Sequence, residues 1–127
     1  MKKLLYIVLT FLILACGDDD YNDNITDACN GNNAVYLATN GVIKACENSN
    51  VGDQGVIDGI TYTVVDQEML LEMFENGEDV TKLATTKINF MSSIFFDNSS
   101  FNQAIGNWDV SNVTSMAGMF KLADSFK

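Results

Sequence analysis

Phe101-Asn102-Gln103-Ala104-Ile105-Gly106-Asn107-Trp108-Asp109-Val110-Ser111-Asn112-Val113-Thr114-Ser115-Met116-Ala117-Gly118-Met119-Phe120 decides the fold, because it answers an earlier part of the same chain. A shift of 25 positions lays Met91 on Met116, Phe95 on Phe120, Ser100 on Ser125 and Phe101 on Phe126. The same shift lays Ile88 and Ile94 on the similar Val113 and Met119. A fixed period of this length indicates units that bury their apolar faces against one another rather than within themselves. Met116, Met119 and Phe120 stand at i, i+3 and i+4, as do Met91, Ile94 and Phe95. That spacing predicts one helical face in each copy, with Thr114 as a cap for the second. Between the two, Phe101 to Ile105 is expected to form a short strand, and Trp108 and Val110 to add core. In their plainest reading the recurring Met, Phe and Trp side chains are core.

The wording of this repeat, F-N-Q-x-I-x-x-W-D-V-S-x-V-T-x-M-x-x-M-F, closely resembles that of BspA-like leucine-rich-repeat surface proteins of Bacteroidetes, mycoplasmas and other bacteria. The segment from Val51 to Asp66, with the helix after it, is similar to the cap that precedes such repeats in flavobacterial members. The resemblance covers residues 35–127. It implies a curved face of short strands that binds host or matrix proteins, although fold alone does not establish function. On this chain the implied binding face is Asn102, Gln103, Asn107 and Asp109, and the same four residues also read as ordinary solvent-facing or turn positions. Members of the family carry many copies. Here one partial copy is followed by one that stops mid-unit at Lys127. The expectation is therefore a truncated array of marginal stability that associates with itself through its open end.

Upstream of the repeat, a small β-rich cap is predicted. Ala34-Val35-Tyr36-Leu37 and Val42-Ile43-Lys44-Ala45 read as strands joined at Asn40-Gly41, and Val56-Ile57 and Ile60-Thr61-Tyr62-Thr63-Val64-Val65 as strands joined at Asp58-Gly59. Ile60, Tyr62 and Val64 alternate with Thr61, Thr63 and Val65, so one face is expected to be buried. Asp66 reads as an N-cap, and Leu70, Met73 and Phe74, with Met69 beside them, form a helical face that ends at Gly77. Glu68, Glu72 and Glu75 fall on the other faces as a solvated surface.

At the N-terminus, Lys2 and Lys3 precede an apolar run from Leu4 to Leu14 that is too short to span a bilayer, which takes about 20 apolar residues. This is the pattern of an export signal. Ile13-Leu14-Ala15-Cys16 resembles a bacterial lipobox, with Leu14 a mild departure, and implies a diacylglycerol on the Cys16 sulfur after cleavage behind Ala15. An ordinary signal peptide or a failed transmembrane helix is the alternative. Gly17 to Asn24 is too polar to order itself. Asp18, Asp19 and Asp20 resemble the acidic surface-export signal of Bacteroidetes lipoproteins, which implies an outer leaflet facing the medium. A calcium loop from Asp18, Asp20 and Asn22 would need Gly at its sixth position and Glu at its twelfth, where this chain has Asp23 and Cys29. In an exported protein the two remaining thiols, Cys29 and Cys46, most often pair. With no His in the chain, a metal site and a catalytic Cys are the weaker readings.

The domains expected are a signal at 1–15, an acidic tether at 16–33, the cap with its helix at 34–78 and the repeat array at 79–127. The fold class is α+β: a small disulfide-containing β-hairpin cap and helix, then a truncated leucine-rich-repeat-like strand/helix solenoid. Losing Lys2 and Lys3 takes the formal charge from -10 to -12, two positive charges fewer. With no Arg, so acidic a surface repels phosphate backbones and makes nucleic acid an unsuitable partner. Attachment to the membrane then falls to the acyl chains. No cofactor is called for, and no nucleophile-base pair or phosphate loop stands out. The function expected is a non-catalytic, lipid-anchored adhesion or protein-interaction module at the outer membrane surface. The alternatives are glycan capture, with Trp108 stacking on a sugar between Asn107 and Asp109, and a fragment without independent function.

Overall fold

The computed structural model describes residue 29 and residues 31–127. Cys16, Asp18, Asp19 and Asp20 lie outside the described residues, as does the segment expected to be an export signal. The described part is a small α+β structure with one helix, two small sheets and a disulfide between Cys29 and Cys46.

β1 (Val35–Leu37) and β2 (Ile43–Ala45) form an antiparallel pair in which Val35 faces Ala45 and Leu37 faces Ile43. Ala38 N–H on Val42 C=O closes the pair, with Gly41 at φ 84 inside the turn. β3 (Gln54–Ile57) and β4 (Ile60–Val64) are joined by the two-residue turn Asp58-Gly59, at φ 51 and 80. Both values are positive, as a turn matching the twist of the flanking strands requires. Tyr62 and Val64 are buried as the alternation predicts, while Ile60 at the turn is exposed and Val65, beyond the strand, is buried. β5 (Leu83–Ala84) adds to β4 in parallel, a pairing with no local turn to announce it.

α1 (Gln67–Glu75) is capped by Asp66, whose side chain accepts from the Met69 N–H at 2.9 Å. It ends at Asn76, and Gly77 follows at φ 74. Its inner face delivers Leu70, with Met69, Met73 and Phe74, to a core shared with Ile88, Met91, Ile94, Phe95, Phe101, Trp108 and Met119. A second, smaller core lies between the sheets, around Val35, Ile43, Tyr62, Val64 and Ala84.

The repeat region departs from expectation. Neither Met91 to Phe95 nor Met116 to Phe120 is helical, Phe101 to Ile105 is not a strand, and the described residues do not form a strand/helix solenoid. The helical spacing has another cause. Ser93 and Asp97 take φ 61 and 58, and Gly118 and Leu122, 25 positions later, both take φ 64. A left-handed residue every fourth position breaks a helix and leaves a chain of tight turns that still brings i, i+3 and i+4 to one side. The backbone donors are also spent elsewhere. The N–H groups of Met91, Ser93, Phe95 and Asp97 donate to the carbonyls of Ser115, Ala117, Met119 and Lys121 at 2.8 to 3.1 Å. In the reverse sense, Thr114 N–H donates to Asn89 C=O and Ser125 N–H to Ser99 C=O. Thr114 is therefore no helix cap: its hydroxyl bonds the same Asn89 carbonyl. The two copies lie one on the other, coupled through backbone.

Candidate functional site

The polar residues of the repeat divide between surface and seam. Asn102 is exposed, and its Oδ1 accepts from the Lys127 N–H at 3.2 Å. Gln103 reaches back to the end of α1, where Oε1 accepts from Val80 N–H at 2.8 Å and Nε2 donates to Glu78 C=O at 3.1 Å. Asn107 donates through Nδ2 to Thr81 C=O, and its own carbonyl accepts from Ile43 N–H. Asn112 donates to Thr86 C=O at 2.7 Å. Each of the side-chain bonds spans about one repeat period, so the amide side chains continue the coupling that the backbone begins. Gln103 does so where a strand was expected, giving Val80 N–H the acceptor that a neighbouring strand would otherwise supply.

Trp108 is only 5% exposed, its Nε1 donates to Val80 C=O at 3.0 Å, and its ring leans on Phe95 at 5.9 Å. The stacking of Trp108 on a sugar is thereby corrected: the indole has no free face, because its apolar area and its one donor are both satisfied inside. Asp109, beside it, is 2% exposed. Its Oδ1 accepts from Ser111 N–H, and its Oδ2 lies 3.7 Å from the Lys44 ammonium on β2 with no hydrogen bond. Burial pushes this carboxyl up, but Ser111, the neighbouring Thr86 hydroxyl and the charge of Lys44 outweigh it and hold the group below its ordinary value of 3.8. The Asn107 Oδ1 nearby in sequence is also buried without a partner. Asp79, at the surface, is held below its ordinary value mainly by the Thr81 hydroxyl and N–H.

β2 thus touches both copies. Ile43 bridges Trp108 in parallel, Lys44 pairs with Asp109, and Ala45 N–H donates to the Thr86 hydroxyl at 2.8 Å. The disulfide ties Cys46, at the end of this strand, to Cys29. Sequence reasoning missed Lys44, Thr86 and Asn112 in this role. The 25-residue shift, which lays Leu83-Ala84 on Trp108-Asp109, was the signal that could have found β5 and its neighbour.

Elsewhere, a cleft of about 300 Å³ opens beside β3, lined by Asn32, Asn33, Asn48, Ser49, Asp53 and Gln54 among others. Asn33 is committed there: its amide donates to Val56 C=O and accepts from Val56 N–H, covering the edge of β3 as a strand would. Among the described residues, no cluster of His, Cys, Asp or Glu is arranged to hold a metal ion, and no helix is long and apolar enough to cross a membrane.

Residues 66–127 match the family model described as "Mycoplasma protein of unknown function, DUF285". The match starts at the N-cap of α1 and takes in both copies of the repeat, which is consistent with a repeat protein of BspA-like kind. No curated protein and no solved structure matches the chain.

Proposed function

We propose that this chain is a lipid-anchored, cell-surface interaction module without catalytic activity, carried by leucine-rich-repeat-like units. The observation that carries the reading is the repeat, in its wording and in the backbone coupling of its two copies. A stack of short units offers a broad side to a macromolecule rather than a closed pocket to a small substrate. Anchorage rests on the lipobox-like Ile13-Leu14-Ala15-Cys16, with Asp18, Asp19 and Asp20 directing the protein to the outer leaflet of an outer membrane. The partner is an extracellular protein, and the exposed polar residue at the repeat surface from the expected set is Asn102, with Gln103 half-buried beside it.

The test is the intact mass of the native protein extracted from membranes, paired with protease shaving of whole cells. The reading expects a chain beginning at Cys16, heavier by its acyl groups and digested from outside. An unlipidated mass would remove the anchor, and a lipidated chain resistant to shaving would place it on the inner side.

A further inference from the structure

The cleft of about 300 Å³ beside β3 is walled by the residues that lead into β1, by the turn after β2 and by the start of β3. No wall of it comes from the repeat. Its framework is fixed by bonds that these residues make themselves. Asn33 spends its amide on the N–H and C=O of Val56. Ser49 is buried, and its N–H and hydroxyl both donate to Cys46 C=O, at 3.0 and 2.6 Å. Cys46 is itself held by the disulfide. Asp53 accepts from Asn50 N–H through Oδ2 at 2.8 Å, while its own N–H donates to Asn50 C=O. Walls set in advance lower the ordering cost of binding.

What this framework leaves over is a set of neutral amides. Asn32 and Asn48 are exposed and make no side-chain hydrogen bond among the described residues. Gln54 donates through Nε2 to Thr63 Oγ1 at 3.2 Å, which leaves Oε1 as an acceptor toward the cleft's rim. Each amide of Asn32 and Asn48 offers two donors and one acceptor oxygen. The second carboxylate oxygen of Asp53 adds a further acceptor.

That lining selects among ligand classes. It contains no Lys, so an anion finds no opposite charge. Ala34 is its one apolar side chain, so an aliphatic or aromatic group has little to bury against. One carboxylate, half engaged, is too little for a calcium ion, which takes about six or more oxygens. A neutral ligand remains, one that both donates and accepts at successive positions. Neighbouring hydroxyls on a sugar ring do this, and an amide meets such a pair with a donor and an acceptor at once.

We propose that this cleft is a binding site for one neutral sugar ring, held by the amides of Asn32, Asn48 and Gln54 and by the Asp53 carboxylate. The ring is gripped by hydrogen bonds at its edge and needs no aromatic platform, so the burial of Trp108 does not bear on it. The inference depends neither on the anchor nor on the partner of the repeat, and its failure leaves that reading standing.

The probes are glucose, N-acetylglucosamine, maltotriose and chitotriose, added to the full chain in a sugar-free detergent. The readout is the side-chain amide resonances of Asn32, Asn48 and Gln54. A small ligand held by hydrogen bonds alone binds on the order of 1 mM, so the titration runs to about 50 mM. The expected result is a saturable shift at these amides with at least one of the four, and none at Asn102 or Asn112 of the repeat. Asn32→Ala combined with Asn48→Ala should raise the dissociation constant about tenfold and leave the backbone spectrum in place. Asn48→Asp, of the same shape but without the donors, should weaken binding in the same direction. A trisaccharide that binds more tightly than its monomer would assign the end of a glycan as the source, and equal binding would assign the free sugar. Silence of the three amides with all four probes would overturn the proposal. A shift with calcium chloride in place of sugar would overturn the ligand class, and sugar shifts that survive the double substitution would overturn the site.

Discussion

At the scale of single residues, Asp109 carries the sharpest consequence. Its folded carboxyl is held below the reference value of 3.8 despite burial, by Ser111, Thr86 and Lys44. A depressed value means that the native state favours the ionised form. The resulting stability is present in full above 3.8 and is lost as pH falls through the folded value. Denaturant titrations should therefore show a loss of stability in acid that Asp109→Asn reduces. At pH 7 the same substitution should cost about 1–3 kcal/mol, since it leaves Lys44 without its buried partner. Equal stability of the two proteins at both pH values would show that the pair is neutralised by solvent. Phe95 is the second such position: fully buried, it touches Phe74, Phe101, Trp108 and Phe120. Phe95→Ala should cost about 3–5 kcal/mol in chemical denaturation, because the rings around it cannot collapse into the space.

At the scale of elements, the pieces built from local rules stand where local rules put them. Asp66 caps α1 as its position before an amphipathic run predicts, and Asp66→Ala should lower stability by about 1 kcal/mol in thermal melts. The two turn dipeptides, Asn40-Gly41 and Asp58-Gly59, lie where their strands end. Gly55 is set by packing instead. A Cβ there would stand 2.7 Å from Val35 Cγ2 and 2.9 Å from the Val35 nitrogen, so β1 and β3 approach too closely for any side chain. Gly55→Ala should force the sheets apart and show as lowered stability with loss of the Asn33–Val56 pairing in amide exchange. The repeat shows the opposite case. Met91, Ile94 and Phe95 have helical spacing without a helix, because turns of four residues share the helix's i+3 and i+4 contacts. Periodicity of side chains reports which residues face the core. It does not report where the backbone donors go, and here they go to the next copy.

At the scale of the whole molecule, the N-terminal hairpin ties the repeat together. β2 bonds Thr86 from one copy and lies along Asn107, Trp108 and Asp109 of the other, and Cys29 fixes its far end. Reducing the disulfide should lower stability by about 3 kcal/mol in the chain-entropy account. Hydrogen exchange should then quicken at Ile43 and Ala45 before it quickens in α1. Uniform quickening would show that the hairpin and the repeat unfold as one body.

Taken by itself, the amino-acid sequence determined the parts whose causes are local: the capped helix, the two turns, the strand alternation and the 25-residue period that makes Met91, Phe95 and Phe101 core. It also carried the family resemblance that agrees with the match over residues 66–127. Tertiary structure alone decided what depends on neighbours distant in the chain. The parallel addition of β5 to β4 needs no turn between them. Burial of Asp109 follows from Lys44, 65 positions earlier in number, reaching it across the cap. The commitment of Gln103 and Asn107 to the seam follows from the stacking of one copy on another. The physical reason is common to all three: a polar group points to solvent by default, and only the assembled fold can offer it a buried partner worth more than water.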